Sequence, residues 1–164
     1  MRSAAKKLAT ANDLAALPHE VKAQLIEGEI VRTSPARAEH SHAIFALSAF
    51  FLNRLHRKGG GGNEQGGWWI MPEAPIQYDT YNLFCHDLAG WKRSRVETLP
   101  TGFPVLQTPD WVCEVLSKNR NRDLIFKKKV LHANKVPHYW LVDLEHKISR
   151  RVISIGVFYF LITF

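Results

Sequence analysis

The segment Asp110-Trp111-Val112-Cys113-Glu114-Val115-Leu116 places a single glutamate inside a short apolar run. Its length and its β-branched and aromatic content favour a buried strand. A second run of this kind, Leu83-Phe84-Cys85-His86-Asp87-Leu88-Ala89, carries another carboxylate. An ionised carboxylate buried without a partner costs several kcal/mol or shifts its pKa until it is neutral. Glu114 and Asp87 are therefore the first candidates for a functional site, and two acids on half-exposed strands are the plain alternative.

The stretches on either side of these runs alternate between helical and extended patterns. Helical spacing of apolar residues predicts helices over 11–26 (with a break at Pro18), 36–57 and 121–134. Extended patterns predict a hairpin or a strand with a Gly-centred bend over 25–31, and strands over 68–78, 83–91, 110–116, 137–142 and from 148 onward. This order predicts a mixed α+β fold of the α/β type, with a central mixed sheet flanked by helices.

Length and charge limit the class of protein. A chain of 164 residues predicts a single domain over 1–164. Its net charge of +7 favours polyanionic partners such as nucleic acid, although a solvated basic surface explains the charge equally well. The two cysteines do not make a disulfide framework and the N-terminus lacks the apolar run of a signal peptide. We therefore expect a cytoplasmic protein that does not enter a membrane.

The segment Val152–Phe164 is apolar almost throughout. A membrane-spanning helix needs about 20 apolar residues, so this tail is too short to cross as a helix. Its aromatic and β-branched residues instead predict a strand. An atypical or truncated C-terminal strand from about residue 150 and a normal terminal strand are both compatible with this pattern.

The predicted helix after Glu114 carries consecutive lysines. Lys127 and Lys128 both have apolar neighbours three and four residues away, so periodicity does not choose between them. A strand that ends near an acid and continues into such a helix can direct an ammonium group back to the strand end. Two carboxylates that converge form an oxygen-rich site, which suits Mg²⁺ or Mn²⁺ bound together with a substrate phosphate.

Zinc is the alternative metal. The motif His40-x-His42 with His56, or the triplet Cys85-His86-Asp87, offers zinc-ligand residue types. The chain has neither a paired CxxC nor an HExxH motif, so these spacings do not match a known zinc site.

An ordered series of motifs resembles the Uma2 family, also called DUF820, which are restriction-endonuclease-like proteins of bacteria. The resemblance runs from about Leu17 to Asp143. Its motifs are Ile26-Glu27-Gly28-Glu29, Ser34-Pro35 followed by His40, Gly66-Gly67-Trp68-Trp69-Ile70, Asp87-Leu88-Ala89-Gly90-Trp91, Pro109 to Ser117, Asp123-x-x-x-Lys127, and Val136-Pro137-His138-Tyr139-Trp140-Leu141-Val142-Asp143.

The resemblance implies a PD-(D/E)xK nuclease core, in which Asp87 and Glu114 bind one or two Mg²⁺ or Mn²⁺ ions. In the usual form of the PD-(D/E)xK motif the lysine lies two residues after the second acid, which is Leu116 here. The resemblance to the family implies that the lysine has moved to the following helix, and it favours Lys127 over Lys128. His86 stands where the family usually has proline, a change that leaves the acid intact. Glu29, His40 and Lys128 are accessory candidates, and Lys118, Arg120 and Arg122 are candidates for contacts with nucleic-acid phosphates.

The expected function is metal-dependent cleavage of phosphodiester bonds in nucleic acid, with DNA as the favoured substrate. The alternative is a catalytically inactive nucleic-acid-binding module, or a degenerate remnant of such a nuclease. A homodimer is expected if both strands of a duplex are cut, because two active sites are then needed.

Overall fold

The structure is a computed structural model that describes residues 7–18, 20–33, 35–56, 67–116, 122–144, 148–153 and 156–161. For residues 122–124, 148–153 and 156–161 it describes the backbone alone.

The chain forms one mixed sheet with helices on both of its faces. The helices are α1 (Ala11–Ala15), α2 (Ala38–Leu55) and α3 (Lys128–Ala133), the last preceded by a π-helical turn over Arg122–Lys127. The strands are β1 (Ala23–Ile26), β2 (Glu29–Arg32), β3 (Trp68–Asp79), β4 (Asn82–Lys92), β5 (Trp111–Val115), β6 (His138–Asp143), β7 (Ile148–Ile153) and β8 (Gly156–Leu161). The predicted mixed α+β class is confirmed.

The eight strands form one sheet in the order β2-β1-β4-β5-β6-β7-β8, with β3 paired to the other edge of β4. Among the paired strands of the described residues, β5 and β6 alone run parallel, and α3 lies in the crossover that connects them. Strand β4 is central because its two edges carry three partners: β3 on one side, and β1 and β5 on the other. The contact with β1 lies at Leu83 and the ladder with β5 lies at Leu88 to Gly90. The part of β4 that carries Asp87 therefore lies between the two partners on that side.

Each face of the sheet has its own hydrophobic cluster. On the α2 face, Leu47 and Phe51 of the helix pack against Leu88, Trp111 and Cys113. On the opposite face, which we call the α3 face, Leu131 packs with residues of β3 to β6, including Phe84, Trp91, Val112 and Tyr139. Helix α2 is helical over 38–55, as predicted, because its apolar residues recur on the side that faces the sheet.

The predicted helix over 11–26 is wrong in its second half. Helix α1 ends at Ala15, and Ala23–Ile26 instead pairs with Glu29–Arg32 as a hairpin. The turn of that hairpin uses Gly28 at φ +74°, a conformation that glycine adopts without steric cost. Burial of Leu25 against Leu83 and Leu14 outweighs the weak helical pattern of this segment.

The side-chain alternation of β3 and β4 slips by one residue at the same level of the sheet. On β4, His86 lies on the α3 face, but Leu88 packs on the α2 face, although strict alternation would place both on one side. On β3, Ala74 lies on the α3 face and Ile70 on the α2 face. Glu73, at the centre of this slip, has a φ of +48°. The slip decides which way the residues around Asp87 point.

No helix in the described ranges is both long and apolar enough to span a bilayer.

Candidate active site

Glu114 is a buried carboxylate with two close donors. It lies in the middle of β5 on the α3 face and is 4% exposed. Its Oε1 accepts a hydrogen bond from Lys127 Nζ at 2.6 Å and lies 2.6 Å from His86 Nδ1. Burial raises the pKa of Glu114, but the charge of Lys127 and the hydrogen bonds outweigh it and lower that pKa to about 2. Glu114 is therefore ionised at neutral pH.

His86 and Tyr78 extend this cluster into the core. The Tyr78 hydroxyl lies 2.7 Å from His86 Nε2, and the His86 side chain is fully buried. Burial lowers the pKa of His86 and raises the pKa of Tyr78 well above its usual value. Both groups are therefore neutral at pH 7. Tyr78, His86, Glu114 and Lys127 form one continuous chain of hydrogen bonds.

Asp87 lies at the end of the β4–β5 ladder. The ladder runs from Gly90 opposite Trp111 to Leu88 opposite Cys113. Beyond that pair, Asp87 Oδ2 accepts a hydrogen bond from the Val115 backbone N–H at 2.7 Å. The side chain of Asp87 thus replaces the backbone bond that a continued ladder would have made.

His40 of α2 contacts the end of the β4–β5 ladder from the α2 face of the sheet. Its Nε2 lies 3.1 Å from the carbonyl oxygen of Val115 and 3.3 Å from Asp87 Oδ2. The hydrogen bond to Asp87 is the main cause that raises the pKa of His40 above its ordinary value. His40, an accessory candidate in the sequence, is therefore in direct contact with the first acid.

The two lysine candidates have different surroundings. Lys127 is 4% exposed and reaches Glu114, with its ammonium 5.9 Å from the centre of the Phe84 ring. Lys128, one residue later and about 100° further around the helix, is exposed to solvent. The structure thus brings Lys127, and not Lys128, to the second acid.

The other candidates lie elsewhere. Glu29 is exposed on β2 and pairs with Ile26 of β1. This end of the β1–β2 hairpin lies beside the start of β4 near Leu83, whereas Asp87 lies four residues further along β4. Lys118 and Arg120 lie outside the described residues. Arg122 begins the π-helical turn, but its side chain is outside the described set as well. Their contacts with nucleic acid remain predictions.

The contacts of His86 and Tyr78 with the Glu114 cluster were not indicated by the sequence. In the sequence, His86 stands out only where the family usually has proline and as one of the residues of the zinc alternative, and neither feature predicts a contact with Glu114. The register of the β3–β4 hairpin pairs His86 with Ala74, four residues from Tyr78, so cross-strand pairing gave no signal for this contact.

The chemistry of the two acids fits a hard divalent cation. The described residues contain no group of three or more His, Cys, Asp and Glu side chains that could hold an ion by themselves, which leaves the zinc alternative without a ligand set among them. Mg²⁺ needs less, because it retains water and takes one or two carboxylates. In the described part of the chain, Oδ1 of Asp87 and Oε2 of Glu114 accept no hydrogen bond from protein. These two oxygens are the ones best suited to a metal.

Comparisons with known proteins agree with this fold. A crystal structure described as "a putative nuclease belonging to DUF820" from Anabaena variabilis ATCC 29413 matches with a TM-score of 0.66 and 18% identity, over 93% of this chain and 84% of that one. A comparison with curated proteins found no match. The family model of Uma2, whose description is "Putative restriction endonuclease", matches residues 11–152. With most of its length matched, the chain belongs to the Uma2 family.

Proposed function

We propose that this protein is a metal-dependent endonuclease that hydrolyses phosphodiester bonds of nucleic acid, with DNA as its substrate. The observation that carries the proposal is the buried pair of Lys127 and Glu114, whose Nζ and Oε1 lie 2.6 Å apart. The pair lies on β5 and the following turn, next to the point where the β4–β5 ladder stops and Asp87 accepts from the Val115 N–H. Perturbed, buried ionisable groups that converge at a break in regular structure are typical of catalytic sites. The family to which the chain belongs supports a nuclease.

Asp87 and Glu114 would hold one or two Mg²⁺ or Mn²⁺ ions. A bound ion would polarise the scissile phosphate and lower the pKa of an attacking water. Lys127 would place its ammonium where negative charge develops on the phosphate, since its position is fixed by Glu114. His40 holds Asp87 and the Val115 carbonyl in place from α2.

The surface around these residues favours a polyanion. Lys128 and Lys129 are exposed directly after Lys127 on the same helix. The chain as a whole carries +7, and lysines that neutralise phosphates release condensed counterions. Such contacts position a backbone without reading the bases.

A binding module without cleavage is the second candidate. It is favoured by the fact that both acids already have cationic or donor partners within the protein: His40 for Asp87, and Lys127 and His86 for Glu114. Because these partners already offset the charge of both carboxylates, the site has less need of a metal ion.

A cleavage assay separates the two candidates. Supercoiled plasmid and single-stranded DNA are incubated with the protein in Mg²⁺, in Mn²⁺ and in EDTA, using wild type, Asp87→Asn and the matched control Glu97→Gln. The Asn side chain keeps an oxygen for the Val115 N–H and loses the charge, whereas Glu97 is exposed. Metal-dependent nicking that Asp87→Asn abolishes and Glu97→Gln retains supports the nuclease. DNA retardation without nicking by folded wild-type protein supports the binding module instead.

A further inference from the structure

We propose that His86 is a positioning residue that holds the Glu114 carboxylate through one defined tautomer of its imidazole, and that Tyr78 selects this tautomer. The inference rests on the proposed function, because it states how the second acid is presented to a metal. It adds two residues, one on β3 and one on β4, to a site that otherwise consists of two acids and a lysine.

The tautomer follows from the hydrogen-bond chain. The Glu114 carboxylate can only accept from His86 Nδ1, so Nε2 of the neutral ring carries no hydrogen and accepts from the buried Tyr78 hydroxyl across 2.7 Å. A neutral imidazole that accepts at Nε2 carries its hydrogen at Nδ1. That Nδ1–H then donates to Glu114 Oε1 across 2.6 Å. Each group in the chain has the donor or acceptor that its neighbour needs.

The chain fixes the orientation of the carboxylate. Glu114 Oε1 accepts from His86 on β4 and from Lys127 at the end of the π-helical turn, and both side chains lie on the α3 face of the sheet. Rotation of the carboxylate would break two hydrogen bonds in a buried site, where an unsatisfied charged group is costly. Oε2 accepts no hydrogen bond from the described residues. Glu114 is therefore set to offer a single oxygen, Oε2, to a metal.

The contacts of His86 suit this role. Its ring packs edge-on against Phe84 at 5.9 Å and against Tyr78 at 5.7 Å between ring centroids. The imidazole is therefore held by packing as well as by hydrogen bonds. Groups that orient a metal ligand typically change metal affinity or activity by 10–100-fold when they are removed.

The first test is spectroscopic and needs neither metal nor DNA. Long-range proton–nitrogen correlation spectra of ¹⁵N-labelled protein at pH 7.5 report which ring nitrogen of each histidine carries hydrogen, and the spectrum of His86→Asn identifies the His86 signals. We expect Nδ1–H in wild type and in the control Tyr81→Phe, whose side chain is 42% exposed. In Tyr78→Phe, we expect a mixture that includes Nε2–H. Wild-type His86 protonated at Nε2 alone, or an unchanged spectrum in Tyr78→Phe, overturns the proposal.

The second test measures Mn²⁺ affinity by titration calorimetry. We expect His86→Ala to bind Mn²⁺ 10–100-fold more weakly, and His86→Asn to stay within about threefold of wild type, because its amide can donate from near the position of Nδ1. His42→Asn, at an exposed histidine of α2, is the matched control. Equal affinities of His86→Ala and wild type overturn the positioning role, as does an Asn variant as weak as the Ala variant.

The two proposals fail in different ways. Wild-type protein that binds no Mn²⁺ refutes the proposed function and the metal-presenting part of the inference, while the tautomer spectra still decide whether His86 holds Glu114. If His86→Ala does not fold, Tyr78→Phe takes its place. That variant keeps the ring that packs on Phe84, and we then expect it to bind Mn²⁺ severalfold more weakly than wild type does. A Mn²⁺ affinity equal to that of wild type overturns the positioning role.

Discussion

At the scale of single residues, the pair of Lys127 and Glu114 makes a testable contribution to stability. Lys127→Met leaves the buried Glu114 carboxylate with His86 as its remaining donor among the described residues. Breaking a buried ion pair from one side typically costs 3–5 kcal/mol, so we expect a loss of about 3 kcal/mol in the free energy of unfolding measured in urea. The control Lys128→Met, at an exposed position, should stay within about 0.5 kcal/mol.

The double variant Lys127→Met with Glu114→Gln checks the cause of that loss. It removes the uncompensated charge, so it should be more stable than Lys127→Met alone. A double variant that is less stable by the sum of both single losses would show that the two side chains act independently.

The pH dependence of Glu114 follows from its lowered pKa. The pKa falls from an ordinary 4.5 in the unfolded chain to about 2 in the folded protein. A carboxyl whose folded pKa is lowered stabilises the fold above its unfolded pKa, and this contribution is lost as the pH falls towards the folded pKa. We therefore expect the stability difference between wild type and Glu114→Gln to be constant at pH 5–7 and to shrink between about pH 4.5 and 2. Urea unfolding at each pH measures it, and a difference independent of pH contradicts the assignment.

At the scale of secondary-structure elements, the close packing of β3, β4 and β5 beneath α2 depends on Gly90. A Cβ at this position would lie 3.0 Å from Ile70 Cδ1 and 3.1 Å from Trp111 Cε3. Overpacking of this kind typically costs 1–3 kcal/mol, so we expect Gly90→Ala to lower the free energy of unfolding by about that amount. Ser94→Ala, exposed in the turn after β4, is the control. An unchanged midpoint of thermal unfolding in Gly90→Ala would mean that the sheet accommodates the methyl group freely.

The slip in alternation at Glu73 and Asp87 explains how two adjacent residues of β4 serve one site. Without the slip, Asp87 would lie directly opposite Glu114 in a continued ladder, and both side chains would point to the same face of the sheet. With it, His86 reaches Glu114 on the α3 face, while Asp87 binds the Val115 N–H and meets His40 of α2. With Tyr78, the site is thus assembled from five elements: α2, β3, β4, β5 and the π-helical turn before α3.

At the scale of the whole molecule, a bound metal should stabilise the fold. A ligand that binds only the folded state adds about 2.7 kcal/mol at 100 times its dissociation constant. We expect Mn²⁺ to raise the melting temperature of wild type and of Glu97→Gln, and EDTA to reverse the increase. Asp87→Asn should show no increase, since it lacks one of the two carboxylates. An equal increase in Asp87→Asn would place the metal at another site.

The sequence alone determined the order and type of most elements, because the apolar residues of α2 recur with the helical period and the strands are short runs rich in β-branched and aromatic residues. It also predicted Asp87 and Glu114 as candidate site residues, since a carboxylate inside an apolar strand is conspicuous wherever the strand packs. The helix over 11–26 was wrong in part, because its pattern was weak and burial of the β1–β2 hairpin decided the outcome.

Only the tertiary structure decided which side chains meet. Lys127 and Lys128 are equivalent by helical spacing, and the docking of α3 on the sheet buried one and exposed the other. His86 and Tyr78 joined Glu114 because β3 and β4 slip in alternation together, at a positive φ of Glu73 that local sequence does not signal. Hydrophobic periodicity reports which residues face a core, whereas contacts across strands and helices depend on register and packing, which distant parts of the chain set together.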